Sequence, residues 1–273
     1  MTETGKPGMT RLQKAYMEQE RMHRRKVTWI RVMVLVLFLA LWELCAELGI
    51  IDDFIFSSPS RVFLCFWRMA ADGSVFEHLG ITLLETMVSF AIVAIMGIGT
   101  AVLLWASRSV SEILEPYLVM LNSLPKSALA PILIVWLGNH VHTIVVAAVS
   151  VAVFGSILTL HNGFSNVDPE KIRLIYALGG TKKDVLQKVL LPGCLPLIIS
   201  NMKVNVGLCL VGVIIGEFLA AQKGLGYLII YGSQVFQLDL VMMSIVILCL
   251  LSAALYHGIE RLEKYSASYG NDR

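Results

Sequence analysis

Residues 79–106 read LGITLLETMVSFAIVAIMGIGTAVLLWA, a stretch in which Glu85 is the only charged residue. A helix that crosses a bilayer needs about 20 mainly apolar residues, so this stretch is long enough to form one membrane span. Gly97 and Gly99 would let a neighbouring helix approach closely. The whole chain is 56% hydrophobic and 15% charged, which is more apolar surface than one soluble core would bury. We therefore expect an all-α integral membrane protein.

Five further apolar runs of similar length are bounded by charged residues or turn signals, and they bring the predicted number of spans to six. These runs are residues 27–48, 113–137, 141–161, 195–220 and 240–262. The run at 113–137 differs from the others because Pro125 and Pro131 bracket the piece LPKSALAP. Proline interrupts helices, so we expect a span, a broken segment and an apolar re-entry to share this run.

The N-terminal segment, residues 1–26, is polar and basic. The run that follows is too long for the apolar part of a signal peptide and lacks a small-residue cleavage site, so we interpret it as an uncleaved first span. Residues 62–70 are apolar but too short to span and include Arg68, which predicts a helix in the outer membrane interface. The predicted organisation is a cytoplasmic segment 1–26, a six-span domain 27–262 and a cytoplasmic tail 263–273.

The positions of the basic residues predict the orientation of the chain, because cytoplasmic segments of membrane proteins carry an excess of Lys and Arg. With the N-terminus inside, most of the 22 Lys and Arg residues fall in predicted cytoplasmic segments. The external segments hold only Arg61, Arg68 and Lys223. This asymmetry predicts that both termini face the cytoplasm, together with residues 165–192 between the fourth and fifth spans.

Residues 165–192 read SNVDPEKIRLIYALGGTKKDVLQKVLLP, a charged segment between two apolar runs. Asp168 suits the N-cap of a helix, and Pro169 suits its first position because the missing N–H costs nothing there. Gly179 and Gly180 can end this helix, since glycine adopts the left-handed conformation of a C-cap. The segment therefore predicts a first short helix that stops at a glycine corner.

A second helix is expected to begin at Thr181, with Asp184 as a variant capping-box partner, and to run into Pro192. Each helix carries an apolar stripe in a loop that should face water. The stripes are Ile172, Ile175 and Tyr176 in the first helix and Val185, Leu186 and Val189 in the second. Helices of about ten residues are marginal in water, so these two either pack under the chain's own membrane domain or contact a cytoplasmic partner. The glycine corner and the basic rim favour the partner.

The order of Gly179, nine residues, an aliphatic residue, any residue and then Leu191-Pro192 resembles the cytoplasmic signature loop of binding-protein-dependent ABC transporter permeases. In that family the loop forms coupling helices that sit in a cleft of the ATP-hydrolysing subunit. The family's usual Glu-Ala-Ala is replaced here by Arg173-Leu174-Ile175. The residues that the resemblance assigns to ATPase docking are Asp168, Pro169, Ile172, Arg173, Ile175, Tyr176, Ala177, Gly179, Gly180, Thr181, Val185, Val189, Leu191 and Pro192.

Residues 78–86, 115–138 and 216–229 are similar to segments of the branch of this family that imports nitrate, taurine, other sulfonates and some vitamin precursors. The resemblance implies a subunit in the lipid of the bacterial inner membrane, paired with a second permease copy as a homodimer. Its further partners would be two ABC ATPase subunits and an extracytoplasmic solute-binding protein. ATP and Mg²⁺ are expected on the ATPase, and no cofactor is expected on this chain. The expected solute is a small anion such as nitrate, taurine or another sulfonate, with a vitamin precursor as the alternative.

Three ionisable residues are candidates for the translocation path, because charged groups inside spans are costly and are functional by default. Lys126 lies in the proline-broken segment, where interrupted backbone is tolerated only if it is buried or lines a cavity. It is therefore the best cation for meeting an anionic solute. Glu217 lies toward the outer end of the fifth span, where gating and helix pairing are both open roles. Glu85 is the carboxylate closest to a span centre.

Other functional classes find less support in the sequence. No G-x-x-x-x-G-K-[ST], H-E-x-x-H or G-x-S-x-G pattern occurs, and the five cysteines lack metal-ligand spacing, so we expect neither a catalytic residue nor a metal site. The net charge of +2 is too small to argue for nucleic acid. An ion-coupled secondary transporter is the alternative of a different class. It would use inverted repeats and midplane carboxylates, and the sequence has no convincing internal repeat.

Overall fold

The structure is a computed structural model that describes residues 11–50 and 56–270. The first ten residues of the predicted N-terminal segment, the last three of the predicted tail and residues 51–55 lie outside the described part of the chain. The described residues divide into two compact units, with the boundary between Leu64 and Cys65.

The first unit is built around helix α1, Arg11–Glu47, which begins well before the predicted span at residue 27. The polar residues ahead of that span are mostly good helix formers, so nothing in them stops the helix. Helix α2, Pro59–Ala71, begins in the first unit and ends in the second. It confirms the helix predicted at residues 62–70. Glu43 holds its start, because the carboxylate accepts hydrogen bonds from the backbone N–H and the hydroxyl of Ser60 at 3.0 and 2.6 Å.

The second unit contains the remaining helices. They are α3 Ser74–Ala106, α4 Arg108–Ser123, α5 Lys126–Leu137, α6 Val141–Ser165, α7 Pro169–Ala177, α8 Lys182–Val185, α9 Leu191–Gly193, α10 Leu195–Ala220, α11 Leu225–Gln234 and α12 Leu238–Gly270, with a π-helical turn Leu186–Leu190 between α8 and α9. In the described residues, α1, α3, α6, α10 and α12 are long and apolar enough to cross a membrane, and α4 with α5 makes a sixth span if the bent pair is counted as one. Five of the six predicted spans are thereby confirmed, and the sixth corresponds to the bent pair. Helix α11 was not predicted.

The bent pair of α4 and α5 turns through 103°. Leu124 and Pro125 have extended backbone at the break, because a residue before proline is pushed out of the helical region and proline has no N–H to continue the ladder. The interruption predicted for this run is therefore present at Pro125. Pro131, in contrast, lies inside α5.

The core of the second unit depends on close approach between α3, α6 and α10. A Cβ atom on Gly212 would lie 2.5 Å from Cα of Ala148, and one on Gly216 would lie 2.9 Å from Cα of Ile144. Gly97 approaches α6 in the same way, since its Cβ would lie 2.6 Å from Oγ of Ser156. Small residues spaced four apart bring membrane helices into backbone contact, where dispersion forces stabilise them. The packing role predicted for Gly97 is confirmed, whereas Gly99 faces open space.

Hydrogen bonds between helices add to this packing in the middle of the unit. The side-chain amides of Asn201 and Asn205 on α10 both donate to Oγ of Ser156 on α6, each at 2.8 Å. All three residues are buried, and such bonds hold helices together where water does not compete for them.

We predict that Gly212→Val destabilises the protein, because the new side chain meets the backbone of α6 and overpacking costs about 1–3 kcal/mol. Thermal unfolding of the detergent-solubilised chain should show a lower midpoint. Gly99→Val is the matched control, because the same change there enters open space and should leave the midpoint near that of the wild type. Equal midpoints for the two variants would contradict the helix contact.

Candidate docking loop and buried polar cluster

The docking loop, residues 165–192, starts with helix α7, and its first turn is formed as the sequence predicts. The Asp168 carboxylate accepts a hydrogen bond from the backbone N–H of Glu170 at 2.9 Å, and Pro169 occupies the first helical position. This arrangement satisfies one of the N–H groups that a helix start leaves without a partner. The predicted N-cap is confirmed.

The two glycines at the end of α7 have different physical roles. Gly179 has φ +80°, a conformation that costs residues with a Cβ about 1–2 kcal/mol. Gly180 is needed for space, because a Cβ there would lie 2.5 Å from Cγ2 of Ile175. The Gly179 N–H donates to the carbonyl of Tyr176 at 3.0 Å, and the Gly180 N–H donates to the carbonyl of Ile175 at 2.9 Å. This pair of bonds is the Schellman C-cap, so the predicted glycine corner is confirmed.

The second helix of the loop is formed by α8, the π-helical turn and α9 in succession, residues 182–193, and it begins with a complete capping box. The Thr181 hydroxyl accepts from the Asp184 N–H at 3.4 Å, and the Asp184 carboxylate accepts from the Thr181 N–H at 2.9 Å. Lys188 pairs with the same carboxylate at 2.9 Å. The hydrogen bond from Lys188, followed by those from Thr181, holds the pKa of Asp184 well below its usual value. The carboxylate is thus charged at neutral pH and can fix the start of the helix.

The second helix packs on the chain's own spans. Val185 and Leu190 are fully buried, and Leu190 belongs to a cluster with Phe164 of α6 and Ala101 of α3. Leu186 and Trp105 pack against this cluster. Packing under the membrane domain was one of the two alternatives left open by the sequence. The burial of Val185 and Leu190 supports this alternative for the second helix. Val185 therefore stabilises the loop from the protein interior and is not available on the surface to contact a partner.

The first helix, in contrast, has no buried residue. Leu174 and Leu178, one turn apart, are 58% and 76% exposed, and Tyr176 is 46% exposed. Ile172 and Ile175 are only half exposed. Sequence reasoning placed Ile175 and Tyr176 in the apolar stripe and missed Leu174 and Leu178, although their spacing of four residues is the signal of a shared helix face.

The remaining predicted docking residues lie on or near the surface of the loop. Exposed are Asp168, Pro169, Arg173, Ala177, Gly179, Thr181 and Pro192, and partly exposed are Gly180, Val189 and Leu191. A cavity of about 760 Å³ separates the two helices, lined among others by Leu174, Ile175, Val189 and Pro192. The loop thus presents an apolar surface around a recess, bordered by Lys171 and Lys188.

One polar contact connects the loop to the end of α3. The Nζ of Lys182 donates to the backbone carbonyl of Ala106 at 2.5 Å. Ala106 is the last residue of α3, where carbonyl groups lack intrahelical partners and a cation is favourable.

A buried polar cluster lies at the opposite end of α3. Glu217 of α10 has no exposed surface, and its Oε1 accepts from the hydroxyl of Thr82 at 2.7 Å while its Oε2 accepts from the N–H of Gly226 at 2.6 Å. The Thr82 hydroxyl also accepts from the N–H of Leu225 at 2.8 Å. An unsatisfied polar group in a membrane costs several kcal/mol. These bonds therefore hold the 224–226 turn, which leads into α11, against α3 and α10.

The glycines of this 224–226 turn are required by the carboxylate. A Cβ on Gly224 would lie 2.3 Å from Oε1 of Glu217, and one on Gly226 would lie 2.7 Å from its Oε2. The Gly224 N–H donates to Nδ1 of His78 at 3.0 Å. The Glu77–Lys223 ion pair adds a contact between the start of α3 and this turn.

Of the three candidate residues for the translocation path, Glu85 and Glu217 are neighbours, whereas Lys126 makes its contact elsewhere. Glu85 is buried on α3 as a neighbour of Glu217, with which it interacts directly. Lys126 instead donates to the backbone carbonyl of Asn122 at the end of α4. The contact between Glu85 and Glu217 could not be read from the sequence, because the two residues are far apart in the chain.

Comparison with a family model identifies a long matching region. Residues 93–265, more than half of the chain, match the family described as binding-protein-dependent transport system inner membrane component. A solved structure titled "Inward facing conformations of the MetNI methionine ABC transporter" has a similar fold, with a TM-score of 0.61 at 19% identity. The similarity covers 70% of this chain and 95% of that one.

Individual relatives match over most of their length. A "Probable ABC transporter permease protein" of Haemophilus influenzae is 29% identical over 87% of this chain and 96% of its own. The taurine transport system permease protein TauC of Escherichia coli is 24% identical over 90% and 94%. The formylaminopyrimidine transport permease protein ThiX of Halalkalibacterium halodurans is 26% identical over 70% and 76%.

We predict that Thr82→Val loosens the 224–226 turn, because the Leu225 N–H and the Glu217 carboxylate each lose a buried partner at a cost of about 1–3 kcal/mol. Hydrogen exchange of the Leu225 and Gly226 amides should become faster, and the unfolding midpoint should fall. Thr86→Val is the matched control, since the Thr86 hydroxyl donates to the carbonyl of Thr82 within the same helix. Unchanged amide exchange in Thr82→Val would contradict the role of the cluster.

Proposed function

The chain belongs to the family of binding-protein-dependent transport system inner membrane components, and we propose that it forms half of the membrane pathway of an ATP-driven importer for a small solute. The observation that carries this proposal is the docking loop. Its second helix is anchored in the core through Val185 and Leu190, while its first helix leaves Leu174, Tyr176 and Leu178 exposed. A short helix with exposed apolar side chains beside a rigid corner fits a cleft on another protein.

The partner of this loop would be an ABC ATPase subunit, which carries the ATP and Mg²⁺. We place the loop and both chain termini in the cytoplasm, as the distribution of Lys and Arg supports. The 224–226 turn, at the other end of α3, then faces the outside, where a solute-binding protein would deliver the solute. Two ATPase subunits would serve two copies of the membrane subunit.

The break between α4 and α5 supports a second copy of this chain as the neighbour. Ser123, Leu124 and Pro125 are exposed, yet interrupted backbone within a membrane must be covered by protein or line a water-filled cavity. Val135 and Trp136 of α5 are also largely exposed. A homodimer that covers these residues, and encloses the solute path beside the break, would meet both requirements.

We propose the following transport cycle for this arrangement. The two ATPases close on ATP and push the paired docking loops together, which swings the spans from an inward-facing to an outward-facing state. Hydrolysis resets them. The chain contributes positioning and a path, and the chemistry takes place on the partner.

The proposed solute is a small anion of the nitrate, taurine or sulfonate type. Lys126 supports this choice, because it is a half-buried cation at the start of α5 beside the interrupted backbone. The relatives named for taurine and for formylaminopyrimidine transport support the same importer type with either an anion or a vitamin precursor. An ion-coupled secondary transporter would need no ATPase. Solute uptake by the purified chain alone, driven by an ion gradient, would therefore favour that alternative.

We predict that Gly179→Val weakens ATPase binding by about tenfold, because the left-handed corner costs a β-branched residue at least 1–2 kcal/mol and the first helix would shift. The measurement is the affinity of the membrane subunit in nanodiscs for its ATPase, together with ATP-driven uptake. Gly80→Val is the matched control, since Gly80 has ordinary backbone and open space around it. Wild-type affinity and uptake in Gly179→Val would refute the docking role.

We also predict that Lys126→Gln raises the KM for an anionic solute by about tenfold, because a hydrogen bond to a charged group contributes about 1.5–3 kcal/mol. The solute is first identified by mass spectrometry of the ligand that co-purifies with the solute-binding protein. Lys203→Gln serves as the control for loss of a positive charge. An uncharged ligand, or an unchanged KM, would rule out the anion role of Lys126.

A further inference from the structure

The end of α3 nearest the docking loop is attached to it by packing and by one hydrogen bond. Ala101, Val102 and Trp105 of α3 belong to or pack against the cluster that contains Leu190 of the second loop helix. Lys182 donates to the last carbonyl of α3. No peptide bond joins α3 directly to the loop, so these side-chain contacts are the direct attachment of α3 to the loop.

The opposite end of α3 is attached to the 224–226 turn by three side chains. Glu77 pairs with Lys223, His78 accepts from the N–H of Gly224, and Thr82 accepts from the N–H of Leu225. The helix between the two ends contains no proline. It extends over 33 residues, or about 50 Å at 1.5 Å per residue. An uninterrupted helix moves as one body more easily than a helix with a break.

Helices α6 and α10 offer a competing route. Both are joined to the docking loop through the chain itself, and α10 also reaches the 224–226 turn through Glu217. Spatial position alone does not separate these routes, because coupling is established only when a change at one site alters the other. The route through α3 can be tested by mutation, because its attachment to the loop consists of side-chain contacts that substitutions can remove.

We propose that α3 acts as a connecting rod that transmits movement of the docking loop to the 224–226 turn, with Lys182 and Trp105 as the positioning residues at the loop end. The proposal rests on the ATPase-docking function of the loop. It adds that the turn at the far side of the membrane responds to nucleotide through contacts on α3. Since one exposed hydrogen bond contributes little by itself, both positioning residues must be removed to break the joint.

The test uses the complete complex of membrane subunits and ATPases in nanodiscs. Hydrogen exchange of the Leu225 and Gly226 amides is compared between the nucleotide-free complex and the complex trapped with ATP and vanadate. In the wild type we expect trapping to change these exchange rates by about fivefold or more, the usual size of coupling between distant sites. In Lys182→Ala/Trp105→Ala we expect this change at the turn to be lost while the loop itself still responds to nucleotide. Because Lys182 lies in the docking loop, ATPase affinity is measured for each variant and the comparison is made at saturating ATPase.

Matched controls separate positioning from general damage. Lys183→Ala/Leu103→Ala removes the same kinds of side chain from exposed positions and should keep the full response of the turn. Lys182→Arg/Trp105→Phe keeps a donor and an aromatic ring and should restore it. If the loop-end variant proves unstable, Thr82→Val removes one of the three attachments at the other end of α3. The loop should then respond to nucleotide as in the wild type, while the response of the turn, taken relative to the variant's own nucleotide-free exchange rates, becomes smaller.

Each result has a defined meaning. A full response of the turn in both the loop-end variant and Thr82→Val would overturn the rod and assign transmission to α6 and α10. A wild-type complex in which the ATPase leaves the exchange of the docking loop unchanged would overturn the docking function, and the rod with it. A protected loop with a lost response of the turn in the variants supports the proposal.

Discussion

The buried carboxylate of Glu217 shows the constraint on which the second unit depends, namely that polar groups inside a membrane must find their partners within the protein. Both of its oxygens accept hydrogen bonds, one from Thr82 and one from the backbone of Gly226. The same requirement explains why residues 224 and 226 are glycines, since a side chain at either position would collide with the carboxylate. The turn, α3 and α10 are therefore fixed as one assembly.

The docking loop shows the opposite arrangement, because its first helix leaves apolar side chains exposed. The second helix holds the loop in place because its Val185 and Leu190 are buried. The C-cap at Gly179 and Gly180 ends the first helix. The surface that remains includes the exposed side chains of Leu174, Tyr176 and Leu178, and apolar and aromatic side chains are common at the centre of protein interfaces. In the proposed importer, the polar cluster and this surface lie at the two ends of α3, so a single helix joins the ATP-dependent side to the solute-entry side.

The spans, the proline break and the caps of the docking loop could be predicted from the sequence, because each depends on neighbouring residues. The span at 195–220 and the corner at Gly179 are examples. The partners of Glu217 could not be predicted, since Thr82 lies 135 residues away and periodicity says nothing about such distances. The sequence also could not decide which apolar stripe of the loop faces inward, because Val185 and Leu174 differ in burial and not in chemical type.

In the proposed importer, α7 and the glycine corner form the surface that binds an ABC ATPase. The most direct measurement is a cryo-electron microscopy structure of the chain purified together with its ATPase. We expect two copies of the chain, each with Leu174, Tyr176 and Leu178 buried in a cleft of one ATPase subunit. A complex in which these three side chains stay exposed to solvent, or in which the ATPase contacts another part of the chain, would contradict it.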